Sequence, residues 1–153
     1  MGAGINGLSV KYLHNKNYIA IEGMGQLVDL MDNFFKKQKL NAKALHLSLF
    51  NLNEIKRVLK STKGKKIVLL FKVLDSLEML KRDYSKEFLS EIVPLVDKVA
   101  VSFATRSMIK RKKFNVERAW ILNFIKDNFK ILDDFEIAGE RYVIFENGRE
   151  NNS

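Results

Sequence analysis

Lys130-Ile-Leu-Asp-Asp-Phe-Glu-Ile137 and Glu140-Arg-Tyr-Val-Ile-Phe-Glu146 are two strand-like runs separated only by Ala138-Gly139. A two-residue connection containing glycine, between runs rich in β-branched and aromatic residues, predicts an antiparallel hairpin. Upstream the pattern changes. Apolar runs of strand length alternate with segments of helical period, which predicts a parallel sheet flanked by helices. The chain therefore reads as α/β, with a mostly parallel sheet that ends in an antiparallel pair.

Working back from the hairpin, a helix is expected over about Val116 to Asn128, with Trp120 and Phe124 on its inward face, and a strand over Lys98 to Phe103. One broken or two short helices cover about Ser76 to Val93 and stop near Pro94, the only proline. Ile67-Val-Leu-Leu-Phe71 is the most strand-like run of all. Asn51 to Leu59 reads as a helix, with Asn51 as its cap and Glu54 at the capping-box position. Ala42 to Leu49 is expected to be a strand. Gln26 to Lys37 is expected to be a helix, because Leu27, Leu30, Met31, Phe34 and Phe35 recur at helical spacing. Tyr18 to Glu22 reads as a short buried strand. Met1 to Leu8 is a glycine-rich turn running into a helix near Leu8 to Leu13.

The composition bounds the chemistry. The chain has 153 residues, 46% of them hydrophobic, which suits one domain with a sizeable core. There is no cysteine, so disulfide scaffolds, thiolate zinc sites and cysteine nucleophiles are excluded. Two histidines, His14 and His46, cannot build a multi-histidine metal site, and His46 in an apolar run reads as a core or crevice residue. No metal is expected. The apolar runs are far too short to span a bilayer and no signal peptide is evident, so a cytoplasmic protein without membrane contact is expected. Lys and Arg number 27 against 18 Asp and Glu, a net charge of +9 that favours phosphate-bearing partners.

Gly2-Ala-Gly4 is a turn that lets a nucleoside cofactor approach backbone amides, or simply a tight turn. Glu22 ends the next strand about 20 residues on, where nucleotide-binding folds place a ribose-binding acid. Its carboxylate can accept from both ribose hydroxyls. Lys72 follows a strand-like run and either points into a ligand crevice or reaches solvent. Ser102, Thr105, Arg106 and Ser107 follow the next strand, and Arg106 can clamp an anion bidentately. Lys110-Arg111-Lys112-Lys113 is either an electrostatic footprint for phosphates or a solvated loop. Lys63, Lys65 and Lys66 add to the basic surface. The cations Lys36, Lys37 and Lys39 lie at a helix C-terminus, where they are stabilising in any case.

Together, Gly2-Ala-Gly-Ile-Asn-Gly-Leu8, Tyr18-Ile-Ala-Ile-Glu22, Leu69-Leu-Phe-Lys-Val-Leu74, Val101-Ser-Phe-Ala-Thr-Arg-Ser-Met108 and the closing hairpin resemble the catalytic domain of the aminoglycoside-resistance 16S rRNA guanine-N7 methyltransferases. The resemblance implies the doubly wound, Rossmann-like fold of S-adenosyl-L-methionine-dependent methyltransferases. It implies that Gly2, Gly4 and Asn6 line the cofactor loop, Glu22 holds the ribose, and Leu49 and Phe50 flank the adenine. Lys72, Arg106 and Ser107 are then expected to face the target guanine, and Lys110 to Lys113 to contact rRNA of the small ribosomal subunit. Guanine N7 carries an exposed lone pair, so its methylation needs no general base and no thiolate. Gly7 and Ala104 stand where the family usually has proline, Glu22 where it has aspartate, and Met24 where it has an acid.

In a doubly wound sheet the glycine loop follows the first strand. Here the loop starts at Gly2, so that strand is missing from this sequence. The strands ending at Glu22 and Phe71 would flank the gap, and unpaired buried amides cost about 1–3 kcal/mol each. Either residues precede Met1 or the remaining strands pair directly. The expectation is a single methyltransferase domain over residues 1–153, truncated at its N-terminus and monomeric. Two other readings stay open: a non-catalytic RNA-binding remnant of the fold, and a small-molecule methyltransferase that has no use for the basic run.

Overall fold

The computed structural model describes residues 1–13, 16–105 and 118–148, with the side chain of Ile5 left aside. The chain divides into two compact units, Met1–Arg57 and Val58–Ser153.

In the first unit β1 (Tyr18–Glu22) and β2 (Ala42–His46) pair in parallel, from Tyr18 opposite Ala42 to Glu22 opposite His46. The crossover is α1 (Gly25–Lys37), and a 3-10 helix over Gly4–Tyr12 precedes β1. Val28, Met31 and Phe35 form the buried stripe of α1. Their spacing of three and four residues puts them on one face. Met31 and Phe35 pack with Ala3, Val10 and Ala20, and Tyr18 meets Phe35 edge to face at 6.1 Å. Gly7 suits this packing: a Cβ there would lie 2.3 Å from the sulfur of Met31, and that side chain would have to shift.

In the second unit the strand order is β3 (Ile67–Phe71), β4 (Lys98–Ala104), β6 (Glu140–Glu146), β5 (Lys130–Ile137). β3 and β4 are parallel, and β6 inserts antiparallel between β4 and β5. β4 is buried along nearly its whole length, as expected of a strand covered on both faces. Its Val99, Val101 and Phe103 join Leu70, Leu74, Phe88, Ile121 and Phe145 in the core. Between β3 and β4 run α3 (Leu74–Leu80) and α4 (Tyr84–Ile92). α5 (Ala119–Asn128) leads into the hairpin. The hairpin has the bounds its sequence predicts. Ala138 and Gly139 both take left-handed φ, +52° and +79°, as a primed turn demands.

Several expectations are corrected. Among the described residues six strands form two sheets, with β1 and β3 in different ones. β2 ends at His46 rather than Leu49. Leu47 still donates to the Glu22 carbonyl, but Phe50 N–H then turns to the Ser48 hydroxyl and Asn51 N–H to the Ser48 carbonyl. Serine and asparagine side chains compete with strand pairing in this way. α2 (Leu52–Ser61) starts at that turn. Only half of the expected capping box forms. Glu54 N–H donates to Asn51 at 3.4 Å, while the Glu54 carboxylate goes to Arg57. The inward face of α5 is Ile121 and Ile125; Trp120 and Phe124 are half-buried beside it, Trp120 under Lys86 and Phe124 against Phe129. His46 is exposed and outside the core.

Candidate functional site

The first cluster is built at the C-terminal end of β1. Gly2 and Gly4 adopt φ of +57° and +48°, open to glycine without a Cβ penalty. These turns bring Ala3 N–H to the Ile21 carbonyl at 3.1 Å and Gly4 N–H to Oε2 of Glu22 at 2.8 Å. Oε1 of Glu22 accepts from Gly23 N–H at 2.9 Å and Met24 N–H at 3.1 Å. One half-buried carboxylate thus holds the glycine loop and the start of α1 together. A carboxylate offers about four lone-pair directions, so three amides leave room for a ligand donor. His46 faces the same strand end, its Nε2 3.0 Å from the Gly23 carbonyl. Asn6 is exposed on the 3-10 helix. Leu49 and Phe50 lie on the turn after β2, Leu49 half-buried and Phe50 41% exposed.

The second cluster lies in the other unit, at the C-terminal ends of β3 and β4. Lys72 is the first residue beyond β3 and takes φ +56°, uncommon for a residue with a Cβ. Its N–H reaches both the carbonyl and the hydroxyl of Ser102, at 3.1 and 3.2 Å. Ser102 is fully buried, and its hydroxyl donates to Oε1 of Glu140. The Lys72 ammonium meets Oε2 of the same carboxylate at 2.9 Å. Burial opposes the charge on Glu140, yet the bonds from Ser102 and Lys72 outweigh it and hold the carboxyl below its usual range. The bond to Glu140 raises Lys72 correspondingly. Tyr142 packs edge to face on Phe71 at 5.7 Å and stacks on Phe135 at 5.4 Å beside this group.

Sequence reasoning singled out Lys72 and Ser102 but missed Glu140. The only signal for it is its place as first residue after a primed turn, and that becomes informative once β6 is known to lie beside β4. Thr105 and Arg118 flank residues 106–117. Thr105 bonds the Gly139 carbonyl at 2.8 Å and Glu136 at 2.9 Å. Arg118 pairs with Asp75 at 2.7 Å, bonds the Ala104 carbonyl and covers the Phe103 ring. Arg106, Ser107, Lys110, Arg111, Lys112 and Lys113 lie outside the described residues, as does His14. Lys66, expected on the basic surface, is half-buried and also caps α2, its ammonium 3.1 Å from the Leu59 carbonyl. Among the described residues no cluster of three or more metal-ligating side chains occurs, and no helix is long and apolar enough to cross a membrane.

No protein-family model matches this chain, and no curated protein matches it in sequence. Solved structures do match in fold. The 16S rRNA methyltransferase RmtF, crystallised with S-adenosyl-L-homocysteine, superposes with a TM-score of 0.77 at 18% identity, over 96% of this chain and 54% of RmtF. An rRNA methylase from Escherichia coli gives 0.74 at 19% identity, over 96% and 55%. The 16S rRNA methylase ArmA gives 0.68 at 21% identity, over 96% and 71%. The chain thus spans about half the length of the first two. Solved structures that share this fold thus include 16S rRNA methyltransferases, and at these identities the likeness shows the fold, a Rossmann-like α/β fold.

Proposed function

We propose that the chain is an S-adenosyl-L-methionine-dependent methyltransferase of ribosomal RNA, and that its target is ring nitrogen 7 of a guanine in the small subunit. The observation that carries this reading is the Glu22 carboxylate, fixed at a strand end by the amides of Gly4, Gly23 and Met24. Held in this way, it is a preorganised acceptor for a ribose diol beside a glycine loop, which suits a nucleoside cofactor. When bound, that cofactor supplies an electrophilic methyl group. The chain's own work is then to hold and orient. Gly2, Gly4 and Asn6 line the loop, Glu22 takes the ribose, and Leu49 and Phe50 flank the adenine. Lys72, Arg106 and Ser107 face the guanine. Lys110, Arg111, Lys112 and Lys113 bind phosphates, in keeping with the net charge of +9. No proton has to leave guanine N7 before attack, so alignment and electrostatics suffice for the step. A monomer working in the cytoplasm, and resistance to aminoglycosides as its consequence, belong to the same proposal.

The test is to incubate the chain with small ribosomal subunits and methyl-labelled S-adenosylmethionine, then digest the RNA to nucleosides. Label in 7-methylguanosine is the expected result. Label in another nucleoside overturns the N7 assignment. An unlabelled digest, with salt-sensitive RNA binding intact, overturns the enzyme reading in favour of an RNA-binding remnant.

A further inference from the structure

We propose that Glu140 is a positioning residue that aims the Lys72 ammonium across the C-terminal ends of β3 and β4. This rests on the reading of Lys72 as a substrate-facing group. The asymmetry of the pair carries the argument. The Lys72 side chain is 62% exposed, whereas Glu140 is 17% exposed. The other oxygen of Glu140 is bonded by the hydroxyl of Ser102, itself fully buried on β4. The carboxylate is therefore the fixed partner and the ammonium the adjustable one. The backbone of Lys72 is constrained as well: φ is left-handed, and the N–H is bound to both oxygens of Ser102. Ser102 thus ties down the root of the lysine and the anion that receives its tip.

An ordinary exposed ion pair adds little stability and needs neither a strained backbone nor a partly buried carboxylate. Here both occur at one strand end, on groups from β3, β4 and β6. A lysine left to itself sweeps many rotamers, and orienting it before the substrate arrives avoids that loss during the reaction. Glu140 also neutralises Lys72 in the free protein. Its removal therefore adds one net positive charge while releasing the ammonium from its direction. Simple electrostatics predicts tighter RNA binding with faster transfer. Positioning predicts RNA binding that is equal or tighter with slower transfer.

Glu140→Gln, Lys72→Met and the double variant separate these outcomes. Methyl transfer to small ribosomal subunits is followed as kcat and KM, and the Lys72 ammonium is followed by nitrogen-15 NMR. Glu140→Gln is expected to lower kcat about 10-fold or more, with KM unchanged or lower. Lys72→Met should lose as much and the double variant no more, because both changes remove one device. The hydrogen-bonded Lys72 ammonium signal should disappear in Glu140→Gln. A purely structural role would lower the thermal midpoint and leave kcat and KM of the folded protein at their wild-type values. Should Glu140→Gln fail to fold, Glu140→Asp keeps the charge but draws back from Lys72, and the same losses are expected in part. Wild-type kcat in either folded variant, or an unchanged Lys72 ammonium signal, overturns the proposal. Absence of transfer by the wild-type chain instead overturns the methyltransferase reading, and the NMR signal alone then decides whether Glu140 holds Lys72.

Discussion

Two carboxylates, Glu22 and Glu140, stand at strand ends in different units and are satisfied in opposite ways. Glu22 is bonded by the backbone amides of Gly4, Gly23 and Met24, and its charge is felt by the N-terminal ammonium of Met1. Glu140 is bonded by side chains, the Ser102 hydroxyl and the Lys72 ammonium. Amides are fixed by the fold, so the first carboxylate shapes a loop and keeps lone-pair directions open for a ligand. Side chains rotate, so the second carboxylate directs a partner and cancels its charge. The chain uses one chemical group to tie a loop in one unit and to pair with a lysine in the other.

The largest expected effect falls on the amide-bound carboxylate. Glu22→Ala removes the acceptor of three amides and should destabilise the folded chain by about 2 kcal/mol. Hydrogen exchange at Gly4 and Met24 should accelerate. Unchanged protection at those amides would break the contrast. Next comes the amide swap. Glu22→Gln turns an NH2 group toward amides that need an acceptor, whereas Glu140→Gln keeps its oxygen on the Ser102 hydroxyl and turns its NH2 toward Lys72, whose exposed ammonium moves into solvent. The first variant should lose about 1 kcal/mol more than the second in chemical denaturation. Equal losses would show that the two sites do not differ as described.

The turn that carries Glu140 offers a smaller test. Ala138 sits at φ +52°, a conformation that costs an L-residue about 1 kcal/mol. Ala138→Gly should relieve it and raise the thermal midpoint by a few degrees; a lower midpoint would show that glycine's extra freedom in the unfolded chain outweighs the strain.

The smallest effect concerns pH. Glu140, and Asp134 beside Arg141, have carboxyls held below their usual range. For Asp134 the bond from Arg141 is the chief cause. A lowered carboxyl pKa contributes stability that is fully present above the unfolded value of about 4 and is lost as pH falls through the folded value. The stability gap between wild type and Glu140→Gln should therefore narrow below about pH 4. Because Lys72 is exposed, solvent screens the pair and the change is slight. A gap that stays constant down to pH 2 would remove Glu140 from the acid limb.

The same contrast explains what the sequence disclosed. The closing hairpin was legible, since alternation and a two-residue turn are local signals. The end of β2 was not, because the Ser48 and Asn51 turn outcompetes an apolar run that continues to Leu49. The place of Glu22 at the end of β1 was legible, but its amide partners were not, since backbone donors carry no residue identity. Glu140 was invisible because its meaning depends on β6 lying beside β4, a non-local pairing. The division into two sheets is non-local in the same sense.

Calorimetric titration of S-adenosyl-L-homocysteine into the wild-type chain, Glu22→Ala and Glu140→Ala tests the role of Glu22 at its root. Saturable one-to-one binding by the wild type and by Glu140→Ala, abolished in Glu22→Ala, is the predicted result. No binding by the wild type, or undiminished binding by Glu22→Ala, would contradict it.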